Sequence, residues 1–135
     1  MEQEEYLEQN NITLDHIKIN NKNTSAIYLN IRGKDFIGID DSKINSNIEK
    51  RCIIQHEIAH FELGAVYTLY SGNSIEHSRI EYRANKRAIN RLLPYSTLKE
   101  FILKNKPNYA CEIADEFGIT EDFVKKALEI YTIVS

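Results

Sequence analysis

The spacing of apolar residues changes from strand-like to helix-like along this chain. Residues 12–19 carry Ile12, Leu14, Ile17 and Ile19 in imperfect alternation and run into NNKNTS, turn chemistry that closes a first predicted strand. Residues 26–31 and 35–39 are rich in Ile, Tyr and Phe and are parted by the short break RGKD, so they predict a hairpin. Beyond Asp41 the period lengthens. Ser46 with Glu49 three residues on forms a capping-box signature, and the apolar positions that follow predict a helix over 47–63 ending at Gly64. YSGNS at 70–74 reads as a loop, and a second helix is predicted from Ile75 or Ser78 to Leu93, stopped by Pro94. Thr97 with Glu100 opens a third helix that ends before Lys106 and Pro107. The last stretch holds two short amphipathic segments flanking Phe117 and Gly118, with Thr120 as a cap on the second, and resembles a helix-turn-helix. The first ten residues are acidic and read as a short helix or a frayed end. The fold class expected is α+β: a short antiparallel sheet, then a central helix, then a helical C-terminal part.

Composition narrows the class without changing this picture. The 135 residues, 42% apolar and 27% charged, suit one globular domain, with 1–94 holding the sheet and the chemistry-bearing helices and 95–135 forming a helical tail. A formal charge of -3 gives no global attraction to phosphate or anionic lipid. Cys52 and Cys111 lie far apart without a CxxC spacing, which argues against a disulfide scaffold and against a thiolate zinc cage. MEQEEYLEQN lacks the basic and apolar regions of a signal peptide, and no apolar run approaches ~18 residues. A cytoplasmic protein with no membrane span is expected.

The candidate chemistry is HEIAH at 56–60, inside the capped helix. A four-residue spacing puts His56 and His60 on one face, one turn apart, where a single zinc ion can meet both. Glu57 stands beside them, placed to take a proton from water that the metal has acidified. Catalytic zinc usually has three protein ligands, so one more is needed. Glu81 is favoured because Ala84, Asn85, Ala88 and Leu92 follow it at helical spacing and place the carboxylate on the inward face; Glu76 and His77 are second choices, and His16 and Cys52 precede the motif. Arg79, Arg83, Lys86 or Arg87, and Asn90 read as a solvated stripe on the opposite face, with a partner-binding surface as the alternative, and Cys52 as a buried thiol packing beneath the histidines.

HEIAH followed by Glu81 leading into EYRANKRAINRLLP resembles the ImmA/IrrE family of metallopeptidases over residues 34–94. In that family an antiparallel sheet precedes the HExxH helix, and a later helix of the pattern E-x-x-A-N-x-F-A-x-x-L-L-M-P supplies a glutamate ligand. Glu81, Ala84, Asn85, Ala88, Leu92 and Pro94 match without a gap, while Arg87, Arg91 and Leu93 stand where Phe, Leu and Met are usual and suggest a more exposed helix. The resemblance implies a compact, phage or mobile-element type of cytosolic protease that cleaves a repressor and so relieves repression.

The function expected is a zinc-dependent endopeptidase, with Zn2+ on His56, His60 and Glu81, Glu57 as catalytic base and a helix-turn-helix repressor as protein substrate. The strand at 36–39 would offer its edge to an extended substrate, and Tyr67, Tyr70, His77 and Tyr82 are candidates to stabilise the oxyanion. The alternative is a non-proteolytic anti-repressor, or a DNA-binding regulator with a structural or vestigial metal site. Against DNA binding, the last segment offers only Lys125 and Lys126 among Glu121, Asp122 and Glu129.

Overall fold

A computed structural model describes residues 2–64 and 74–134, with side chains for 3–64 and 77–132. The order is α1 (Glu2–Gln9), β1 (Ile12–His16), β2 (Ala26–Ile31), β3 (Lys34–Ile39), a 3-10 turn (Asp41–Lys43), α2 (Asn47–Leu63), α3 (Ser74–Leu92), α4 (Tyr95–Asn105), α5 (Ala110–Phe117) and α6 (Glu121–Val134). The class is α+β, as expected. No helix among the described residues is long and apolar enough to cross a membrane.

β3 is the middle strand of the sheet, in the order β1-β3-β2. β2 and β3 form the predicted antiparallel hairpin, turning at Arg32 and Gly33 with φ of 53° and 80°, the positive pair that a two-residue hairpin turn needs. β1 pairs with β3 in parallel, Ile12 opposite Asp35 and His16 opposite Ile39. The sheet is therefore mixed, which corrects the expected antiparallel arrangement. Alternation identifies a strand but not its partner, and residues 17–25 carry the chain across the sheet to place β1 and β2 on opposite sides of β3. Lys43 anchors that crossing: its ammonium donates to the carbonyls of Ile19, Asn21 (2.6 Å) and Thr24 (3.0 Å), while the buried Asp40 carboxylate accepts from the Ile19 N–H at 2.9 Å.

α2 has the predicted span. The Ser46 side chain accepts from the Glu49 N–H at 3.1 Å, and Gly64 closes the helix in the left-handed region at φ 65°. The helix is apolar on two sides. Ile54 and Ile58 pack with Leu7, Ile12, Tyr28, Ile37 and Ile39 of α1 and the sheet, whereas Cys52 and Ala59 join Ala84, Ala88 and Ile89 of α3 in a second cluster. The tail completes the second cluster with Leu98, Ile113, Val124, Ala127 and Ile130. α5 and α6 are joined through Gly118, at φ 64°, and Thr120, whose hydroxyl accepts from the Phe123 N–H at 3.1 Å as its predicted capping role requires. α4 begins at Tyr95, directly after Pro94, rather than at Thr97: proline's fixed φ suits a helix start and no N–H is lost there.

The arginines of α3 do not form a simple solvated stripe. Glu62 of α2 accepts from Arg87 Nε at 2.8 Å, from an Arg91 terminal nitrogen at 2.5 Å and from the Tyr6 hydroxyl at 2.7 Å, and the Arg91 guanidinium lies 5.4 Å from the Tyr6 ring centroid. Burial opposes ionisation of Glu62, but these donors outweigh it and hold the carboxyl below its usual range; burial and the neighbouring carboxylate push the Tyr6 phenol up to about 12. Arg87 and Arg91 thus tie α1, α2 and α3 together where the family pattern has apolar side chains, and Leu93 is fully buried. Replacing Glu62 by Gln is expected to cost roughly 1–3 kcal/mol and Tyr6→Phe about 1 kcal/mol, seen as lower urea midpoints at unchanged slope. An unchanged midpoint in Glu62→Gln contradicts a stabilising clamp.

Candidate metal centre

HEIAH occupies the last two turns of α2. The two imidazoles stack one turn apart, with ring centroids at 4.8 Å and planes near perpendicular at 81°, and their Nε2 atoms are 3.1 Å from each other. α3 delivers Glu81 to the pair. One carboxylate oxygen lies 2.9 Å from His56 Nε2 and the other 3.1 Å from His60 Nε2. The small side chains of Ala59, Ala84 and Ala88, all buried in one cluster, let α2 and α3 approach closely enough for that contact.

The donor set fits a metal ion. All ligand atoms of His56, His60 and Glu81 lie within 4.8 Å of one another. A tetrahedral zinc with bonds of about 2.0–2.1 Å separates its ligand atoms by about 3.3 Å. The closest spacings here, 2.9 to 3.1 Å, approach the edge of such a tetrahedron. His60 is buried, and His56 and Glu81 are partly so.

Charge inside the group is coupled. Burial disfavours the Glu81 carboxylate, but hydrogen bonds with His56 and His60 outweigh it and bring the carboxyl down to about 2. Burial likewise disfavours a charged His56, yet the Glu81 hydrogen bond and the charges of Glu57 and Glu81 raise its pKa, with Lys126 of α6 working against them. Glu57 is 7% exposed, and burial pushes its carboxyl up while the two histidines and the backbone N–H of Tyr28 pull it down.

The structure separates the other candidates. His16 is exposed at the end of β1 and pairs with Asp41. Cys52 is buried in the cluster beneath the histidines, its thiol pKa raised by burial. His77 and Tyr82 are exposed on α3 and stand outside the metal-capable group. Tyr67, Tyr70 and the side chain of Glu76 lie outside the described residues. Residues 36–39 cannot present an edge, because β3 is flanked on both sides; among the described strands the edges are β1 and β2. Two features near the site were missed from sequence. The Tyr28 backbone beside Glu57 depends on strand order, and the bearing of Lys126 on His56 depends on how α6 docks. The apolar period of Phe123, Val124, Ala127, Ile130 and Tyr131 marks which side of α6 is buried but not what it meets.

No curated protein and no solved structure matches the chain. The match found is to the peptidase family described as the IrrE N-terminal-like domain, over residues 7–129, a span that includes the sheet, HEIAH, Glu81 and nearly all of the tail. The chain therefore belongs to this family of metallopeptidases.

Proposed function

We propose that this chain is a zinc-dependent endopeptidase in which His56, His60 and Glu81 hold the ion and Glu57 is the catalytic base. The observation that carries the reading is the convergence of two imidazoles and a carboxylate from separate helices, with a buried glutamate beside them. Held by these three residues, zinc would supply an acidified water and a Lewis acid for the peptide carbonyl. Glu57 accepts the proton of the attacking water and returns it to the leaving amine, and burial sets its basicity for both transfers. An extended substrate adds to the edge of β2, whose Tyr28 backbone borders Glu57, rather than to β3. The substrate we assign is a helix-turn-helix repressor of a phage or mobile element, cleaved in the cytoplasm; support for this part is the kinship with ImmA and IrrE proteins alone.

Protein purified without chelator is expected to carry about one zinc per chain. In a competitive zinc titration, His56→Ala and Glu81→Gln should lose more than the roughly ten- to hundredfold in affinity typical of disturbed outer-shell partners. His77→Ala is the control, and circular dichroism checks folding. Parent-like zinc binding by Glu81→Gln removes that residue from the ligand set.

Glu57→Gln is expected to keep its zinc and to lose cleavage of its protein substrate, because an amide cannot accept the proton. If this variant cuts at the parental rate, Glu57 is not the base. If the parent relieves repression without cutting, the sequestering alternative holds.

Zinc uptake should also release protons. The raised pKa of His56 means that the metal-free protein holds a proton there at a pH where an ordinary histidine has lost it, and a ligand nitrogen must give that proton up. Zinc affinity therefore rises with pH until His56 is deprotonated, and falls as pH drops through its pKa. Calorimetry in two buffers of different ionisation enthalpy reads the proton count; equal heats in both would contradict it.

A further inference from the structure

Arg83, Lys86, Arg87 and Asn90 lie on the side of α3 turned away from Glu81, Arg91 flanks them toward α2, and with Leu63 of α2 the five line an open groove of about 480 Å³. Glu62 neutralises part of this charge through Arg87 and Arg91. Arg83 and Lys86 have no acidic partner among the described residues. Four cations against one carboxylate form a positive strip on a chain whose formal charge is -3. Leu63, 38% exposed, adds an apolar spot among the charges.

We infer that this groove is an exosite for an acidic segment of the protein substrate, seated on the back of α3 while the scissile segment reaches the metal side. The inference rests on the peptidase reading and names a feature of the substrate that reading leaves open. The cations run from Arg83 to Arg91, about 12 Å along the helix, the length of about four extended residues. An acidic run of that length with one apolar side chain matches both the charges and Leu63. A nucleic acid fits less well. α1 borders the groove where Tyr6 meets Arg91 and exposes Glu4 and Glu8, so the helix next to the arginines adds negative charge and no further cation for a phosphate backbone. On a net acidic surface, an acidic peptide is drawn to this strip and repelled elsewhere.

The test uses the full chain as zinc-loaded Glu57→Gln, so that the probe is not cut. The probe is a fluorescent peptide of about eight aspartate and glutamate residues with one central leucine, read by polarisation, with a lysine counterpart as control and unlabelled duplex DNA of about 20 base pairs as competitor. Saturable binding of the acidic peptide that weakens as salt is raised is expected, with no binding of the lysine peptide and no displacement by DNA. Arg83→Glu with Lys86→Glu should weaken it at least about tenfold with unchanged zinc content and circular dichroism, and Arg83→Gln with Lys86→Gln should show a smaller loss if the reversal disturbs folding. Parent-like affinity in the glutamine pair, or stronger binding of DNA than of peptide, overturns the proposal. Its failure is distinct from failure of the peptidase reading: loss of the exosite leaves Glu57-dependent cleavage of a short neutral peptide intact, whereas a chain that cuts nothing can still bind the acidic probe through Arg83 and Lys86.

Discussion

The close approach of α2 and α3 is the constraint on which the rest depends. α2 must bury one side against the sheet and another against α3 and the tail, yet it also carries two imidazoles and a carboxylate that need partners. Alanine at 59, 84 and 88 resolves the conflict, because small side chains at the contact bring the backbones together without filling the space that His56, His60 and Glu81 share. A larger side chain at Ala84 or Ala88, each essentially fully buried, would have to displace a neighbour in the cluster and push apart the helices that carry Glu81 and the histidines.

What could be read from the residues was whatever is local in sequence. Ser46 and Gly64 bound α2 because capping is decided within four residues, and the hairpin turn at Arg32 and Gly33 is equally local. The inward side of α3 was legible because Glu81, Ala84, Ala88 and Leu92 share one helical period. The pairing of β1 was not, since it is settled by where residues 17–25 cross and by Lys43 gathering three carbonyls from that crossing. Nor were Arg87 and Arg91. Read alone, Arg87 is a charge on an outward stripe and Arg91 a departure from the family pattern that suggests exposure, and only the position of Glu62 and Tyr6 on other elements turns them into a clamp.

That clamp and the metal-capable group divide the work of holding α2 to α3. The metal-capable group joins the two helices on one side through Glu81, and Glu62 joins them on another through Arg87 and Arg91. Both oxygens of Glu81 are engaged by the two imidazoles, so a carboxylate aimed inward is compensated by hydrogen bonds rather than left as a bare buried charge. The two helices thus already gather the atoms that could hold a metal.

The tail has to be understood from its buried side. Val124 and Ala127 are fully buried with Cys52 and Ala59 of the metal helix, and the Tyr131 hydroxyl donates to the Leu93 carbonyl at 2.6 Å, tying α6 to the end of α3. Arg51 of α2 reaches the Gly118 carbonyl in the turn between α5 and α6 at 2.9 Å. A pair of helices held in this way cannot swing out to read a nucleic acid without opening the core beneath the histidines. What α6 leaves at the surface includes Lys125 and Lys126, and the charge of Lys126 already bears on His56. The tail therefore belongs to the scaffold of α2, and the short turn between α5 and α6 follows from packing two amphipathic helices over one apolar cluster.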